Sequence, residues 1–338
     1  MKCWKTFVLI HAMIFLLIST QGFIMNALSA PLHEAVETAK RATVGVLQHD
    51  AAETAHQSVQ SQFAIRGSGV HLGEGYILTA RHAVERSKGG KIKIPQTIHV
   101  LTDGLAELSA RLIGVNRFLD VALYQIELKS SAAQLPSVTF EKGESRQGDE
   151  VFTVGYPLGW GPAVSFGRLG NPQTFLPTAQ SRLLQIDLSA CSGNSGGGLF
   201  EADGRLVGLI HAIIQTTTES HERRCSRFAF AIPGPLIEKI VNILKIGESH
   251  TFPKLGIRMT VVKVDQQWRV AAAKAKGPAR KAGVQKHDVL LAIDKTSITT
   301  AAELKSYLIE HTVPGQIIEL RVLRGETEKV LYVTLGES

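Results

Sequence analysis

Leu184-Gln185-Ile186-Asp187-Leu188-Ser189-Ala190-Cys191-Ser192-Gly193-Asn194-Ser195-Gly196-Gly197-Gly198-Leu199-Phe200 is the stretch on which the fold turns. A serine set among glycines in a strand-rich chain reads as a nucleophile on a tight turn, because glycines let the backbone approach a substrate carbonyl. The residues after the serine decide the architecture. Leu199 to Ile210 carries Asp203-Gly204 between two apolar runs, which is the signature of a β-hairpin.

Gly193-x-Ser195-x-Gly197 also fits the strand-to-helix elbow of α/β-hydrolases, but that elbow needs a helix directly after the serine and the chain order Ser, Asp, His. Here the order runs the other way. Tyr76-Ile77-Leu78-Thr79-Ala80-Arg81-His82-Ala83-Val84 is a strand entering a turn with a histidine at its end, and Leu119-Asp120-Val121-Ala122-Leu123-Tyr124-Gln125-Ile126 is an apolar strand begun by an aspartate. A serine hydroxyl is a poor nucleophile at neutral pH. It needs an imidazole to take its proton and a carboxylate to fix the imidazole tautomer and stabilise its cation. His82, Asp120 and Ser195 supply those three types in the order His, Asp, Ser.

The rest of the chain agrees with a β-rich exported protein. Its 338 residues exceed one ordinary core, and 31 glycines with only 6% aromatic residues fit short apolar runs broken by turns. Lys2 and Lys5 precede the apolar run Phe7 to Ile18, with small residues at Ala27-Leu28-Ser29, so residues 1–29 read as a signal peptide cleaved after Ser29. An uncleaved N-terminal anchor, extended by Phe23-Ile24-Met25, is the alternative. Either reading places the remainder outside the cytoplasm, in the periplasm or secreted. Removing Lys2 and Lys5 takes two charges from the net +7 and leaves +5, scattered over Lys88, Lys91, Lys93, Arg223, Arg224 and Arg227. With no aromatic interleaving, that is a solvated basic surface and no nucleic-acid site. Gly67-Ser68-Gly69 lacks the third glycine of a dinucleotide loop. No histidine besides His82 pairs with Cys, Asp or Glu at ligand spacing, so neither a metal nor a cofactor is expected.

Along the chain, residues 32–42 have a helical pattern and Thr43 to Leu47 a strand pattern. His49 to Gln62 is a polar surface loop, and strands and turns continue to Ile232, with Asp103-Gly104 a second hairpin turn. Pro233-Gly234-Pro235 then opens a helix carrying Leu236, Ile237, Ile240, Val241 and Leu244 on one face. Residues 247–253 read as a linker between a unit at 32–246 and another at 254–338. In the second unit, Thr300-Ala301-Ala302-Glu303 is a capping box opening a helix to about Glu310.

Gly67-Ser68-Gly69-Val70, Leu78-Thr79-Ala80-Arg81-His82, Asp120-Val121-Ala122-Leu123, Gly193-Asn194-Ser195-Gly196-Gly197 and Phe228-Ala229-Phe230-Ala231-Ile232-Pro233, in that order, resemble the HtrA (Deg-type) serine proteases. The resemblance implies a mainly β chain, with a chymotrypsin-like double β-barrel followed by an α+β PDZ domain. It makes His82 the general base, Asp120 its orienting carboxylate and Ser195 the nucleophile, with the N–H groups of Gly193 and Ser195 as the oxyanion hole. Asn194 stands where trypsin-like zymogens carry an aspartate, so activation by a newly cut N-terminus is not expected. Cys191 departs from the family and resembles the digestive enzymes, in which a cysteine four residues before the serine is bridged across the specificity pocket. The resemblance therefore implies a Cys191–Cys225 disulfide, the alternative being two free thiols. It makes Ser189 the pocket floor and Leu209, Ile210, His211, Ala212 and Ile213 one wall. With no carboxylate at the floor, a basic side chain would be left unpaired, and small or medium apolar residues are the expected cut site. Asp187 is expected as a structural carboxylate under the loop.

Leu255-Gly256-Ile257 resembles the carboxylate-binding loop and strand of PDZ domains, with the helix from Ala301 forming the groove's other side. Gly277 to Val284 matches the short PDZ helix closed by a glycine. His287 replaces a usual glycine and Asp294-Lys295 a typical Asn-Gly turn. The implied function is exported endoproteolysis of unfolded or damaged polypeptides, regulated by C-terminal peptides at the PDZ groove, with a homotrimer as the family assembly. The alternative is a PDZ-containing chaperone or peptide-binding protein with weak or latent activity.

Overall fold

The computed structural model describes residues 32–47, 65–88, 90–126, 135–176, 181–213, 225–247 and 251–337. The signal or anchor segment, the polar loop at 49–62 and Arg223-Arg224 lie outside the described residues. After a helix at 32–42, the strands Thr43–Leu47, Ile65–His71, Tyr76–Ala80, Val121–Ile126, Glu107–Asn116 and Thr97–Leu101 close, in that spatial order, into one barrel. A second barrel closes through Ala163–Thr174, Leu183–Cys191, Cys225–Pro233, Leu206–Ile213, Gly198–Glu201 and Glu150–Gly155. Asp103-Gly104 and Asp203-Gly204 sit between paired antiparallel strands, as their turn chemistry requires.

The period of two in these strands shows in Leu183–Cys191, where Gln185, Asp187 and Ser189 alternate with buried residues, while Leu206–Ile210 and Ala229–Ile232 are buried at every position. Leu184, Ile186 and Leu188 point into the second barrel with Leu199, Val207, Ala229 and Ala231. Their neighbours of opposite parity, Leu183, Phe230 and Ile232, join Val70, Leu78 and Leu123 of the first barrel in a shared core. Strands buried on both faces in this way need apolar residues at consecutive positions, each contributing about 1.5–3 kcal/mol when fully buried. The helix Gly234–Lys245 seals that core with Leu236, Ile237, Ile240, Val241 and Leu244. Leu244 approaches so closely that a Cβ on Gly114 would lie 2.9 Å from its Cδ2.

The segment read as a linker is only partly free of structure. Phe252 is buried and stacks on Phe118 with ring centroids 4.2 Å apart, and Pro253–Lys254 pairs with Gly336–Glu337. Beyond it, Ile257–Val264, Gln267–Ala275, Val289–Ile293, Ile317–Arg324 and Thr327–Thr334 form a sheet in that order, with Ile257–Val264 at one edge. The helices Gly277–Lys281 and Ala301–His311 flank it. The capping box is present, Thr300 Oγ1 accepting from Glu303 N while the Glu303 carboxylate accepts from Thr300 N. His287 (φ 74°) and Asp294 (φ 48°) occupy the left-handed region, so the turn geometry survives without glycine. Asp294 offsets the cost with its side chain, which accepts from Tyr307 Oη at 2.9 Å and Glu319 N at 2.8 Å. No helix among the described residues is long and apolar enough to cross a membrane.

Candidate active site

The site lies where the two barrels meet. The strand Tyr76–Ala80 ends in the one-turn helix Arg81–Val84, which carries His82. Asp120 ends the turn before Val121–Ile126, with φ 59°, a left-handed conformation that aspartate tolerates better than most residues. The two pieces are pinned by Arg81 N donating to Asp120 O at 2.8 Å. His82 Nδ1 then hydrogen-bonds Asp120 Oδ2, which leaves Nε2 to face a substrate.

The Ser195 loop is assembled from backbone contacts. Asn194 N donates to Cys191 O at 3.0 Å, and Asn194 Oδ1 accepts from Cys191 N at 3.0 Å. Gly196 N donates to Ile210 O at 2.8 Å, and Ile210 N to Gly197 O at 2.8 Å. Gly193 has φ 104°, a conformation that only glycine adopts freely, and a Cβ there would strike Tyr156 O. A Cβ on Gly67 would lie 2.6 Å from Ala83 Cβ and 3.0 Å from Ser195 O, so the loop and the His82 helix close on that glycine. Among the described residues neither Gly193 N–H nor Ser195 N–H donates to a protein acceptor, which leaves both for an oxyanion. No hydrogen bond joins the Ser195 hydroxyl to His82 among the described residues, a contact that in unliganded sites is often long.

Two residues shape this site that sequence reading left without a role, and a third has a place other than the one expected. Ser68 is fully buried; its Oγ donates to Gly193 O at 2.7 Å and accepts from Tyr156 N at 2.9 Å. Arg81 places Nε 3.0 Å from Asp120 Oδ1 and pairs its Nη1 with Glu85. His211, expected in the substrate pocket, is a second imidazole on the Asp120 carboxylate. Its Nδ1 stands 3.4 Å from Asp120 Oδ2, and its ring meets that of His82 edge-on at 5.8 Å. The expectation that only His82 pairs with an acid is thereby corrected, and His99 Nδ1 lies 2.7 Å from Glu107 Oε1 as well. Chain separation hides the first of these pairs, because His211 and Asp120 belong to different barrels.

Electrostatics set the carboxylate and the second imidazole apart. Burial would raise the Asp120 carboxyl, but the His82 hydrogen bond and the charges of His82, His211 and Arg81 outweigh it and hold the group below its usual value. Burial, and then the neighbouring His82, hold His211 below an ordinary histidine despite the pull of Asp120. At neutral pH the site therefore holds an ionised Asp120 beside a neutral His211.

Cys191 and Cys225 are disulfide-bonded on neighbouring strands. Ser189 is exposed at an irregularity in register between Asp187 and Ala190. Leu209 and Ile210 are sealed in apolar cores, so their side chains form no open wall, and only the Ile210 backbone touches the serine loop. The side chains of Ala212 and Ile213 lie outside the described residues. Asp187 is not under the loop: it is exposed on the strand surface and paired with Arg227 at 3.0 Å. In the second unit, Leu255 is buried and its carbonyl accepts from Ala279 N at 3.0 Å. Gly256 has φ 83° and accepts from Lys276 N at 2.8 Å. Ile257 begins the edge strand and packs into the cluster that holds Leu304 and Leu308 of the flanking helix.

Residues 67–209 match the trypsin-like peptidase domain family and residues 253–335 the PDZ domain family. A probable periplasmic serine endoprotease, DegP-like, of Ectopseudomonas mendocina (strain ymp) is 30% identical over 83% of this chain and 56% of its own length. The serine endoprotease DegS of Salmonella typhimurium (strain 14028s / SGSC 2262) is 27% identical over 90% of this chain and 85% of its own. Among solved structures, the HtrA-type protease AlgW with tripeptide superposes with a TM-score of 0.69 at 26% identity, covering 91% of this chain and 97% of that one. The chain spans little more than half the length of the DegP-like relatives it matches.

Proposed function

The chain belongs to the HtrA family of trypsin-like proteases carrying one PDZ domain, and from that premise we propose that it is a serine endopeptidase working outside the cytoplasm on unfolded polypeptides. The observation that carries the reading is the His82–Asp120 pair facing a loop whose Gly193 and Ser195 N–H groups are unspent. In the proposed reaction Ser195 Oγ attacks the peptide carbonyl carbon while His82 Nε2 takes the hydroxyl proton. Asp120 holds the imidazole by Nδ1 and stabilises the cation that forms. The carbonyl oxygen, now negative, moves between the two N–H groups, each such donor typically worth about 10²–10³ in rate. His82 then protonates the leaving amine, and water repeats the sequence on the acyl-enzyme.

Ser189, with no carboxylate at its position, supports cleavage after small or medium apolar residues. Leu255-Gly256-Ile257 and the edge strand support capture of a peptide C-terminus, which would regulate the peptidase. Export to the periplasm and assembly as a homotrimer complete the reading; fractionation and light scattering check them. The central test is turnover of unfolded casein by wild type and by Ser195→Ala. Cleavage confined to wild type is expected, with product termini giving the cut residue. Absence of turnover in both, with suppression of casein aggregation in both, would replace the reading by a PDZ-containing chaperone.

A further inference from the structure

His82, Asp120 and His211 each offer a ligand atom, a ring nitrogen or a carboxylate oxygen, and these three atoms all lie within 4.8 Å of one another. Two imidazoles and one carboxylate are a donor set that suits zinc, which takes three protein ligands and leaves a fourth tetrahedral position to water. The His211 Nδ1 to Asp120 Oδ2 separation of 3.4 Å equals the edge of a tetrahedron whose bonds are about 2.1 Å long, whereas His82 Nδ1 and Asp120 Oδ2, joined by a hydrogen bond, must part by about 1 Å to admit the ion. One of the polar atoms here, His211 Nδ1, is buried without a hydrogen-bond partner among the described residues. His211 has no part in the proton transfers of a serine peptidase, so its placement against Asp120 calls for a further account. We propose that His82, Asp120 and His211 form a binding site for a divalent zinc-class cation, and that its occupancy switches the peptidase off.

The inhibition follows from the atoms used. A cation on His82 Nδ1 takes the lone pair or proton position through which Asp120 orients the imidazole, and the displaced proton leaves to solvent. His82 bound through Nδ1 then has no carboxylate to stabilise the imidazolium that proton abstraction from Ser195 creates. The obstacle is Arg81, whose Nε sits 3.0 Å from Asp120 Oδ1. Its charge is shared with Glu85, which makes the site one of moderate affinity. The ion acts as a brake from the active site and as no part of the catalytic apparatus.

The inhibitory consequence rests on the serine-peptidase reading, whereas the binding does not. Zinc chloride is therefore titrated calorimetrically into untagged Ser195→Ala protein, in which all three ligands persist, and into the same protein carrying His211→Ala or His211→Gln. Thermal melts verify that each variant is folded. One site is expected in the parent, with affinity lower by about tenfold or more in both His211 variants. Equal affinity in all three, or no binding to the parent, would overturn the proposal. In parallel, zinc is expected to stop casein cleavage by wild type and EDTA to restore it. The zinc concentration for half-inhibition of His211→Gln is referred to that variant's own zinc-free rate and should rise by a similar factor. Cleavage indifferent to zinc at concentrations that fill the site would overturn the inhibitory role. Zinc binding lost with His211, in a protein that cleaves nothing, would sustain the site and overturn the peptidase reading instead.

Discussion

Ser68 carries, through one hydroxyl, the link between the serine loop and the neighbouring barrel. The hydroxyl donates to Gly193 O and accepts from Tyr156 N, which fixes the Gly193–Asn194 peptide plane, the neighbour of the plane that carries Gly193 N–H. Ser68→Ala leaves a buried acceptor and a buried donor unsatisfied, a cost of about 1–3 kcal/mol. If that cost falls on the oxyanion geometry, kcat drops about 10–100-fold with little change in KM. If it falls on folding, the melting temperature drops and kcat of the folded fraction is unchanged. The first outcome is expected, and steady-state kinetics beside a thermal melt separates the two. Ser68 stood in plain view in the sequence, yet nothing local marks a serine whose partner Gly193 lies 125 residues away. Gly193 and Ser195 were legible because a turn beside a nucleophile constrains its own sequence.

At the scale of elements, legibility depends on how local the determinants are. The strand Thr43–Leu47 and the capped helix Ala301–His311 are specified by adjacent residues, and their limits agree with sequence reading to within a residue or so. The family resemblance puts Leu209 and Ile210 on a pocket wall, and their continuous apolar strand does not reveal that both of its faces are covered. His287 and Asp294 depart from the sequence motif yet keep the backbone it requires, since aspartate and histidine are among the residues that reach φ > 0 more readily than most. A related polar anchor sets an acid limit on the second unit. Asp288 is 1% exposed and accepts from Arg324 Nε at 2.7 Å and from Gln285 N at 2.8 Å. Burial raises its pKa, but the Arg324 hydrogen bond, the Gln285 N–H and the Arg324 charge prevail and lower it. A lowered carboxyl pKa gives stability that is present above the unfolded-state value of about 3.9 and is lost as pH falls through the folded-state value. Calorimetry of the full chain should show the PDZ transition weakening as pH falls below about 4. Asp288→Asn, less stable at neutral pH, should flatten that dependence; an equal slope in both proteins would locate the acid sensitivity elsewhere.

At the scale of the molecule, the helix that borders the PDZ groove is also the element docked on the second barrel. Arg182 Nε lies 2.9 Å from both Glu310 carboxylate oxygens, Arg182 N donates to Ser306 Oγ at 2.6 Å, and Lys239 Nζ donates to Ile309 O at 3.1 Å. Arg182 and Glu310 keep only 20% and 11% of their side-chain exposure, so the pair is better shielded than a surface salt bridge. On either side of Arg182, Ser181 and Leu183 line a cavity of about 330 Å³ whose other walls include His82, Asp120 and His211. A peptide that moved this helix would act on Arg182, which is bonded to the helix and whose sequence neighbours line the cavity beside His82 and Asp120. Energetic coupling of this kind is reciprocal for binding, and it requires an element that both sites bias. With Arg182→Ala, hydrogen exchange across 301–311 should accelerate, and the change that a C-terminal peptide causes in Ser195 labelling by an active-site phosphonate should shrink towards none. Glu310→Gln, which keeps the shape and removes the charge, should act in the same direction and more weakly. If helix protection falls in both variants while the peptide effect persists undiminished, the latch holds the two units together without carrying a signal between them.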